Sequence, residues 1–261
     1  MSVRALARYR ALDPYRSTEL HVTAGLLALV FGLAGYQYGG IEGAPLASAL
    51  RIGAYLVPLL AVMRYSDAVA GDRATGRLRG LLALPVSRRA VVLATAVGRA
   101  ASLAAAVCVG VLAATLAYSV RGGVPAIAPT VAAAFSVLVL CLCYTGIVVG
   151  VSAASATTTR AFAANVALWL LVQLFWGTVP RAVAYAGRGF TGPMSRPDWA
   201  PVFESLSPIR AFQVIFDATT GVRAVTPTAI HETPWFAALV LLAWTVAALA
   251  VGLARFDRAT L

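Results

Sequence analysis

The side chains best suited to bind a charged partner are seven arginines that fall between two strongly apolar segments. They lie in residues 64–99, a stretch that we call the elbow: Arg64, Arg73, Arg77, Arg79, Arg88, Arg89 and Arg99. Each arginine at the centre of a bilayer costs about 2.5–3.5 kcal/mol. The elbow is therefore expected to stay outside the hydrocarbon. Its guanidinium groups could bind an acidic partner or anionic lipid headgroups.

The same inventory of side chains excludes several kinds of catalysis. All 21 basic residues are arginine. Without lysine the chain can form neither a P-loop for ATP phosphates nor a Schiff base. Two histidines, His21 and His231, are too few and too far apart for an HExxH zinc motif. We predict no catalytic residue, no metal site and no cofactor bound by this chain.

The three cysteines all lie inside apolar runs, at Cys108, Cys141 and Cys143. Buried cysteine behaves as a small apolar residue. Cys141 and Cys143, two residues apart on a helix, would point in nearly opposite directions and chelate poorly. Packing is the expected role, and a metal or redox contact is the alternative.

The elements that must position the elbow are membrane spans. The chain is 60% apolar and only 12% charged, and its apolar runs are long enough to cross a bilayer core of about 30 Å. We predict an all-α integral membrane protein that forms a single transmembrane domain over residues 1–261. The six predicted spans are about 21–38, 46–63, 100–119, 125–151, 161–179 and 234–254. The elbow lies between spans 2 and 3.

The arginines also predict the orientation of the chain. With six spans both termini share a side, and most arginines of the short connections and termini lie there. Cytoplasmic connections carry the excess of basic residues, so both termini and the elbow are predicted to be cytoplasmic, in a multi-pass plasma membrane protein. The net charge of +11 is then explained by contact with anionic lipid and requires no nucleic acid.

Residues 181–233 form a long segment before span 6, predicted to be external. Ser207-Pro208 is typical of a helix start, and four apolar residues then form one face: Ile209, Phe212, Ile215 and Phe216. Such a helix either lies on or enters the membrane surface, or packs on the bundle as an ordinary loop helix. The sequence leaves both possibilities open.

The elbow itself has a helical pattern from Asp67 to Leu84. Leu78, Leu81 and Leu82 share one face, and Arg73 and Arg77 lie on another. Gly76 favours a bend, Pro85 ends the helix, and Ser87 is placed to cap the next one. Arg88 and Arg89 then precede the third span.

One motif in the elbow resembles a known family. The pattern D-R-x-x-G-x-L-x-x-L-L-x-L-P-V-S-R-R, from Asp72 to Arg89, resembles the loop between spans 2 and 3 of ABC-type-2 transporter permeases. The closest resemblance is to the permease subgroup of nitrous-oxide-reductase maturation (copper-processing, NosY-like) systems. Leu206-Ser-Pro-Ile-Arg210 is similar to a second family motif near the last span. Asp72 departs from the family, which commonly has glutamate there.

The resemblance implies a transport mechanism. The chain would be the permease subunit of an ABC transporter, an exporter, in which two copies pair. A separate cytoplasmic ATPase would bind ATP and Mg and receive the elbow. Leu78, Leu81 and Leu82 would fill an apolar groove on it, and Arg73, Arg77 and Arg88 would pair with acidic groups at its rim. The implied docking set is Asp72, Arg73, Gly76, Arg77, Leu78, Leu81, Leu82, Pro85, Ser87, Arg88 and Arg89.

The transport path is less well specified by the sequence. By analogy with the family, spans 2 and 5 could line it with Tyr55, Asn165, Trp169, Gln173 and Trp176. For the tryptophans, an interfacial belt or bundle packing is the alternative. No carboxylate or histidine lies in the middle of a predicted span, which disfavours a membrane-embedded enzyme or an ion-coupled secondary transporter. A membrane anchor or sensor that recruits a partner without transport is the other alternative function.

Overall fold

A computed structural model describes residues 18–43, 45–78, 87–223 and 226–258, without the side chains of residues 18 and 19. Every regular element among these residues is helical, and six segments are long and apolar enough to cross a membrane. The predicted all-α bundle of six spans is therefore confirmed. The α-helices are α1 (Thr18–Gly39), α2 (Leu46–Ala54), α3 (Leu56–Tyr65), α4 (Ala70–Ala74), α5 (Arg88–Val120), α6 (Ile127–Ala154), α7 (Thr158–Leu170), α8 (Val179–Gly187), α9 (Ala200–Ser205), α10 (Pro208–Thr220) and α11 (Pro234–Arg258).

The helices map onto the spans in chain order. Span 1 is α1, span 2 (Leu46–Ala74) contains α2, α3 and α4, span 3 is α5, span 4 is α6, and span 6 is α11. Span 5 runs from Thr158 to Gly187 and is not a uniform α-helix. A π-helical turn, Leu171–Phe175, and a 3-10 turn, Trp176–Thr178, join α7 to α8. Such π turns often occur at functional sites.

Helix α5 begins much earlier than the apolar part of span 3. It starts at Arg88, and the Ser87 side chain caps it by accepting a hydrogen bond from the Ala90 N–H at 3.2 Å. No proline interrupts the 33 residues to Val120. Arg88 and Arg89 therefore belong to the same helix as the span.

The helical pattern predicted from Asp67 to Leu84 is interrupted in its described part. Helix α4 ends at Ala74, and Gly76 adopts a φ of +72°. That left-handed conformation costs a residue with a Cβ about 1–2 kcal/mol but is open to glycine. The predicted bend at Gly76 is thus present. Leu81, Leu82 and Pro85 lie outside the described residues.

At two helix crossings, a glycine allows the backbones of two helices to come into close contact. In α1, a Cβ on Gly35 would meet the backbone of Ala114 in α5. In α6 and α11, Gly150 and Gly252 lie so close that a Cβ on either would meet backbone of the facing helix within 3 Å. Small residues allow such approach between membrane helices. Spans 1 and 3 form one tight pair, and spans 4 and 6 form another.

The segment 181–233 does not stay outside the bundle. The side chains of Phe212, Phe216 and Asp217 in α10 are buried. At the C-terminal end of α10, the hydroxyl oxygens of Thr219 and Ser136 are 3.3 Å apart. At its N-terminal end, Pro208 lines the same cavity as Val148 of α6.

Ser136 and Val148 are twelve residues apart on α6, which corresponds to about 18 Å along the helix. Helix α10 therefore runs alongside span 4 within the level of the spans. We call α9 and α10, which are joined at Leu206 and Ser207, the re-entrant hairpin, because both bury side chains in the bundle.

Candidate functional site

The elbow is attached to the end of span 4. The backbone N–H groups of Val69 and Ala70 donate to the Ser152 hydroxyl at 3.1 and 3.2 Å. Ser152 is fully buried. These two donors lie at the start of α4, where a helix leaves N–H groups without partners in its own backbone. The hydroxyl of span 4 therefore fixes the position of α4.

Arg73 joins the elbow to two spans at once. Its Nη1 donates to the Ser155 carbonyl at 2.9 Å, at the end of span 4. Its guanidinium carbon lies 5.3 Å from the ring centroid of Phe256, a fully buried residue of span 6. This is cation–π distance. Arg73 thus points into the chain, toward the spans.

Two further arginines attach the start of span 3 to the end of span 6. Nη1 of Arg88 donates to the carbonyls of Phe256 and Asp257 at 3.1 and 3.3 Å. Nε of Arg89 donates to the Asp257 carboxylate at 3.1 Å. Spans 3, 4 and 6 are consequently connected at the side of the molecule where the elbow lies.

The outward part of the elbow lies around the bend. Arg77 has a side chain that is 52% exposed, and its Nη1 is 3.9 Å from the Asp72 carboxylate. Leu78 is buried, with 1% exposure. Gly76 and Arg77 face outward, whereas Leu78 packs into the core of the chain.

The re-entrant helix α10 is held against span 2 by an ion pair. Nη1 of Arg51 lies 2.7 Å from Asp217 Oδ1, with side-chain exposures of 14% and 9%. One turn of α10 earlier, Gln213 donates to the Tyr55 hydroxyl at 2.6 Å. The predicted path residue Tyr55 therefore touches α10. Arg51, which lies inside predicted span 2, is paired with a carboxylate in the bundle.

The turn of the re-entrant hairpin is held by tryptophans of spans 5 and 6. The indole N–H of Trp176 donates to the Phe203 carbonyl at 3.0 Å, and the two rings stack at 4.6 Å. The indole of Trp244 donates to the Leu206 carbonyl at 2.9 Å. Trp176 and Trp244 are 6.0 Å apart, edge to face. Trp176 thus binds protein, as in the packing alternative.

The other predicted path residues lie on one side of span 5. Asn165 Nδ2 donates to the Val148 carbonyl at 3.3 Å. Asn165 Oδ1, Trp169 Nε1 and Gln173 Oε1 are buried and have no hydrogen-bond partner among the described residues. Asn165 and Trp169 line one cavity, together with Tyr144 of span 4.

The cysteines lie apart from this site. Cys141 and Cys143 are buried in span 4, and the Cys143 thiol donates to the Leu241 carbonyl at 3.5 Å. Cys108 is exposed on span 3. In the described part of the chain, no three histidine, cysteine, aspartate or glutamate residues are grouped so that they could hold a metal ion.

Comparison with known proteins gives the family. The sequence profile of ABC-2 family transporter proteins matches residues 5–261, which is nearly the whole chain. The chain belongs to the ABC-2 transporter family. This confirms the resemblance carried by the motif from Asp72 to Arg89.

A curated relative of this ABC-2 protein is a probable ABC transporter permease protein NosY from Pseudomonas aeruginosa. The two sequences are 27% identical over 279 residues, covering 97% of this chain and 98% of the relative. The similarity therefore extends over the full six-span arrangement. The ABC-2 chain is accordingly a multi-pass membrane subunit of an ABC transporter.

The sequence analysis missed two features of this ABC-2 subunit. It placed Asp217 in an external segment, whereas the carboxylate lies in the bundle and pairs with Arg51. It also missed Ser152 and Ser155 as the attachment of the elbow. A lone arginine inside a span was a signal for the first, since buried charges are paired. Nothing in the serine pattern indicated the second.

Proposed function

We propose that this chain couples the ATP cycle of a separate cytoplasmic ATPase to the outward movement of a cargo, with two copies forming the complete path. The elbow would be the surface that the ATPase binds. The cargo would pass beside spans 2 and 5.

The observation that carries this proposal is the set of contacts between the elbow and the spans. Val69 and Ala70 bind Ser152 of span 4, and Arg73 contacts both span 4 and span 6. Spans 4 and 6 are in turn closed on each other at Gly150 and Gly252. A displacement of the elbow would therefore be transmitted to both spans. A loop that only rests on lipid headgroups would need none of these contacts.

The same contacts divide the elbow arginines into two groups. Arg73 and Arg88 donate to backbone carbonyls at the ends of spans 4 and 6. Arg77 and Arg89 are each paired with an aspartate, but their side chains are still 52% and 73% exposed. We therefore expect Arg77 and Arg89 to meet the acidic rim of the ATPase groove. Leu81 and Leu82 remain the predicted apolar contacts.

The outer surface of span 5 supports the pairing of two copies. Few residues of this span are buried within the chain, and it exposes large apolar side chains at Phe162, Leu171, Leu174 and Phe175. A second copy could cover this face. Pairing there would place the polar residues of span 5 near the centre of the complex.

The experiment is co-purification of the full chain with its ATPase subunit, followed by measurement of ATP hydrolysis in nanodiscs. Arg77→Glu is expected to weaken the complex about tenfold, since it places a carboxylate at an acidic rim. Arg223→Glu is the matched control, because it makes the same charge change on an exposed residue of the other side. Unchanged association in both Arg77→Glu and Leu81→Asp would contradict docking through the elbow.

A further inference from the structure

An open cavity of about 460 Å³ lies beside the elbow, between the end of α3 and the start of α7. Cavities that bind small ligands typically measure about 300–1,000 Å³. One wall is the last turn of α3 with the two residues that follow it, and the other wall is the beginning of span 5. The lining includes Met63, Arg64, Asp67, Thr158, Thr159 and Phe162.

The cavity contains one charged side chain of each sign. Arg64 and Asp67 both line it, and in the part of the chain that the structure describes neither side chain forms a hydrogen bond or an ion pair. They are three residues apart, yet they do not pair with each other. Arg51 and Arg89, by contrast, each have an aspartate partner within the chain. The cavity can therefore receive a ligand that carries both a negative and a positive group.

The wall formed by span 5 suits a phosphate. Helix α7 begins at Thr158, and the first N–H groups of a helix have no partner in its own backbone and attract anions. Thr158 and Thr159 add hydroxyl groups, and the Arg64 guanidinium can donate two hydrogen bonds to phosphate oxygens. A ligand that is only anionic would be repelled by Asp67. A phosphate is favoured when the same molecule also carries a cation for that carboxylate.

The depth of the lining side chains distinguishes a lipid from a dissolved molecule. Thr158 is the first residue of span 5 and so lies at the level of the headgroups. Phe162 is four residues further along α7, about 6 Å deeper. Phe162 and Met63 are 44% and 59% exposed. The cavity is thus polar at its outer end and apolar toward the bilayer core, an order that matches the headgroup and acyl chains of a phospholipid.

We propose that this cavity binds one phosphatidylethanolamine molecule from the leaflet on the elbow side. Arg64 and the start of α7 bind its phosphate, Asp67 accepts hydrogen bonds from its primary ammonium, and Met63 and Phe162 contact the beginning of its acyl chains. Phosphatidylglycerol has no ammonium to offer Asp67. The quaternary ammonium of phosphatidylcholine has no N–H to donate.

The lipid would bind where the elbow leaves span 2. The Asp67 carbonyl accepts a hydrogen bond from the Gly71 N–H at 2.6 Å. Val69, two residues after Asp67, donates to Ser152 of span 4. Phe162 also lies at the end of the face proposed for pairing, so the lipid would occupy the rim of that interface. The headgroup chemistry does not depend on which protein docks on the elbow.

The test is photocross-linking of the full chain in nanodiscs that contain equal amounts of phosphatidylethanolamine and phosphatidylglycerol. The photoreactive residue p-benzoylphenylalanine is placed at Met63, and mass spectrometry identifies the lipid attached. We expect phosphatidylethanolamine to be enriched about tenfold over its share of the nanodisc, as one charge-assisted hydrogen bond would give. The same residue at Leu239, exposed on span 6, should report the bulk ratio. Equal ratios at Met63 and Leu239, or enrichment of phosphatidylglycerol at Met63, would overturn the proposal.

Variants then assign the two charges. Asp67→Asn is expected to reduce the enrichment at Met63 to less than about twofold, because the ammonium loses its carboxylate. Arg64→Gln should lower the yield of both cross-linked lipids. Asp198→Asn is the matched control, since it removes an exposed carboxylate beyond the other end of span 5, and it should leave the enrichment unchanged. Persistence of the enrichment in Asp67→Asn contradicts the assigned role of Asp67.

A competition arm separates the lipid from its free headgroup. Soluble glycerophosphoethanolamine has the same charges but no acyl chains, and it is expected not to reduce cross-linking at Met63 when added in tenfold excess over the lipid. Displacement of the lipid would show instead that the cavity recognises a dissolved molecule. All of these measurements use the permease alone, so their outcome is independent of the ATPase co-purification experiment.

Discussion

Arg51 and Asp217 are the clearest case in which single residues decide how two elements meet. Both side chains are largely buried, and the nitrogen and oxygen are 2.7 Å apart. Removing two charges from water is expensive, so such a pair contributes little to stability compared with apolar residues of the same size. Its value lies in specifying position, because α10 can satisfy Asp217 at only one place along span 2.

This argument predicts an asymmetry between single and double variants. Asp217→Ala leaves Arg51 buried without its partner and is expected to destabilise the chain by about 3–5 kcal/mol. The double variant Arg51→Leu with Asp217→Leu removes both charges and is expected to cost much less. Thermal unfolding in detergent measures both. A double-variant loss as large as that of Asp217→Ala would contradict the penalty expected for an unpaired Arg51.

The buried contacts of the elbow show the limit of sequence analysis at this scale. The motif from Asp72 to Arg89 correctly indicated the family, yet Arg73 and Arg88 point into the chain. Their direction depends on Ser155 and Phe256, which lie more than 80 residues away. A linear pattern contains the residue types but not these long-range neighbours.

At the scale of elements, the crossing of spans 4 and 6 explains how the elbow could act on both. A Cβ on Gly150 would collide with the Ala248 carbonyl oxygen, so no side chain fits without separating the helices. The six spans were predictable because each is a long apolar run. The pairing of span 4 with span 6 was not predictable. A glycine at a helix crossing looks the same in the sequence as a glycine such as Gly25, which has no neighbour within 4 Å of where a Cβ would lie.

Gly150→Ala is therefore expected to lower the Tm and to reduce ATPase stimulation by the permease, since it separates the two spans that hold the elbow. Gly25→Ala is the control: Gly25 also lies in a span, but a Cβ there meets nothing within 4 Å. Because alanine is the better helix former, Gly25→Ala should leave both quantities unchanged or slightly raise the Tm. Similar losses in the two variants would contradict the role of the crossing.

The bend of the elbow gives a second prediction for an element. Gly76→Ala forces a Cβ into a φ of +72° and is expected to change the shape of the elbow and weaken ATPase binding, without unfolding the spans. Gly43→Ala introduces the same strain at a φ of +73° in the loop between spans 1 and 2. Binding assays and circular dichroism on both variants separate local strain from docking. If Gly43→Ala weakens the complex as much as Gly76→Ala does, the bend is not what the ATPase recognises.

At the scale of the whole molecule, composition and hydropathy were enough for fold class and span number. They left the segment 181–233 undecided between a surface helix and a packed one. The structure places α10 beside span 4 and buries Phe212 and Phe216. The sequence of α10 has the same apolar face in both cases. Amphipathic periodicity indicates that this face is buried, but it does not distinguish burial in lipid from burial against other helices.

The proposed pairing of two copies is testable by cross-linking. In a Cys108→Ala background, which removes the exposed native thiol, Leu174→Cys is expected to form a disulfide between copies in native membranes. Leu239→Cys on span 6 is comparably exposed, at 53% against 60%, and should not form one. Cross-linking at Leu239 but not at Leu174 would place the interface elsewhere.

The ion pair between span 2 and the re-entrant hairpin also has a consequence for synthesis. Arg51 and Asp217 are 166 residues apart, so at about 5–20 residues per second Arg51 enters the membrane roughly 8–33 seconds before its partner exists. During that interval its guanidinium must reach the headgroups, because nothing in the bilayer core can accept it. The hairpin can bind span 2 in its final position only after the Arg51 guanidinium has left the lipid headgroups. Assembly therefore includes a step in which Arg51 exchanges a lipid partner for a protein one.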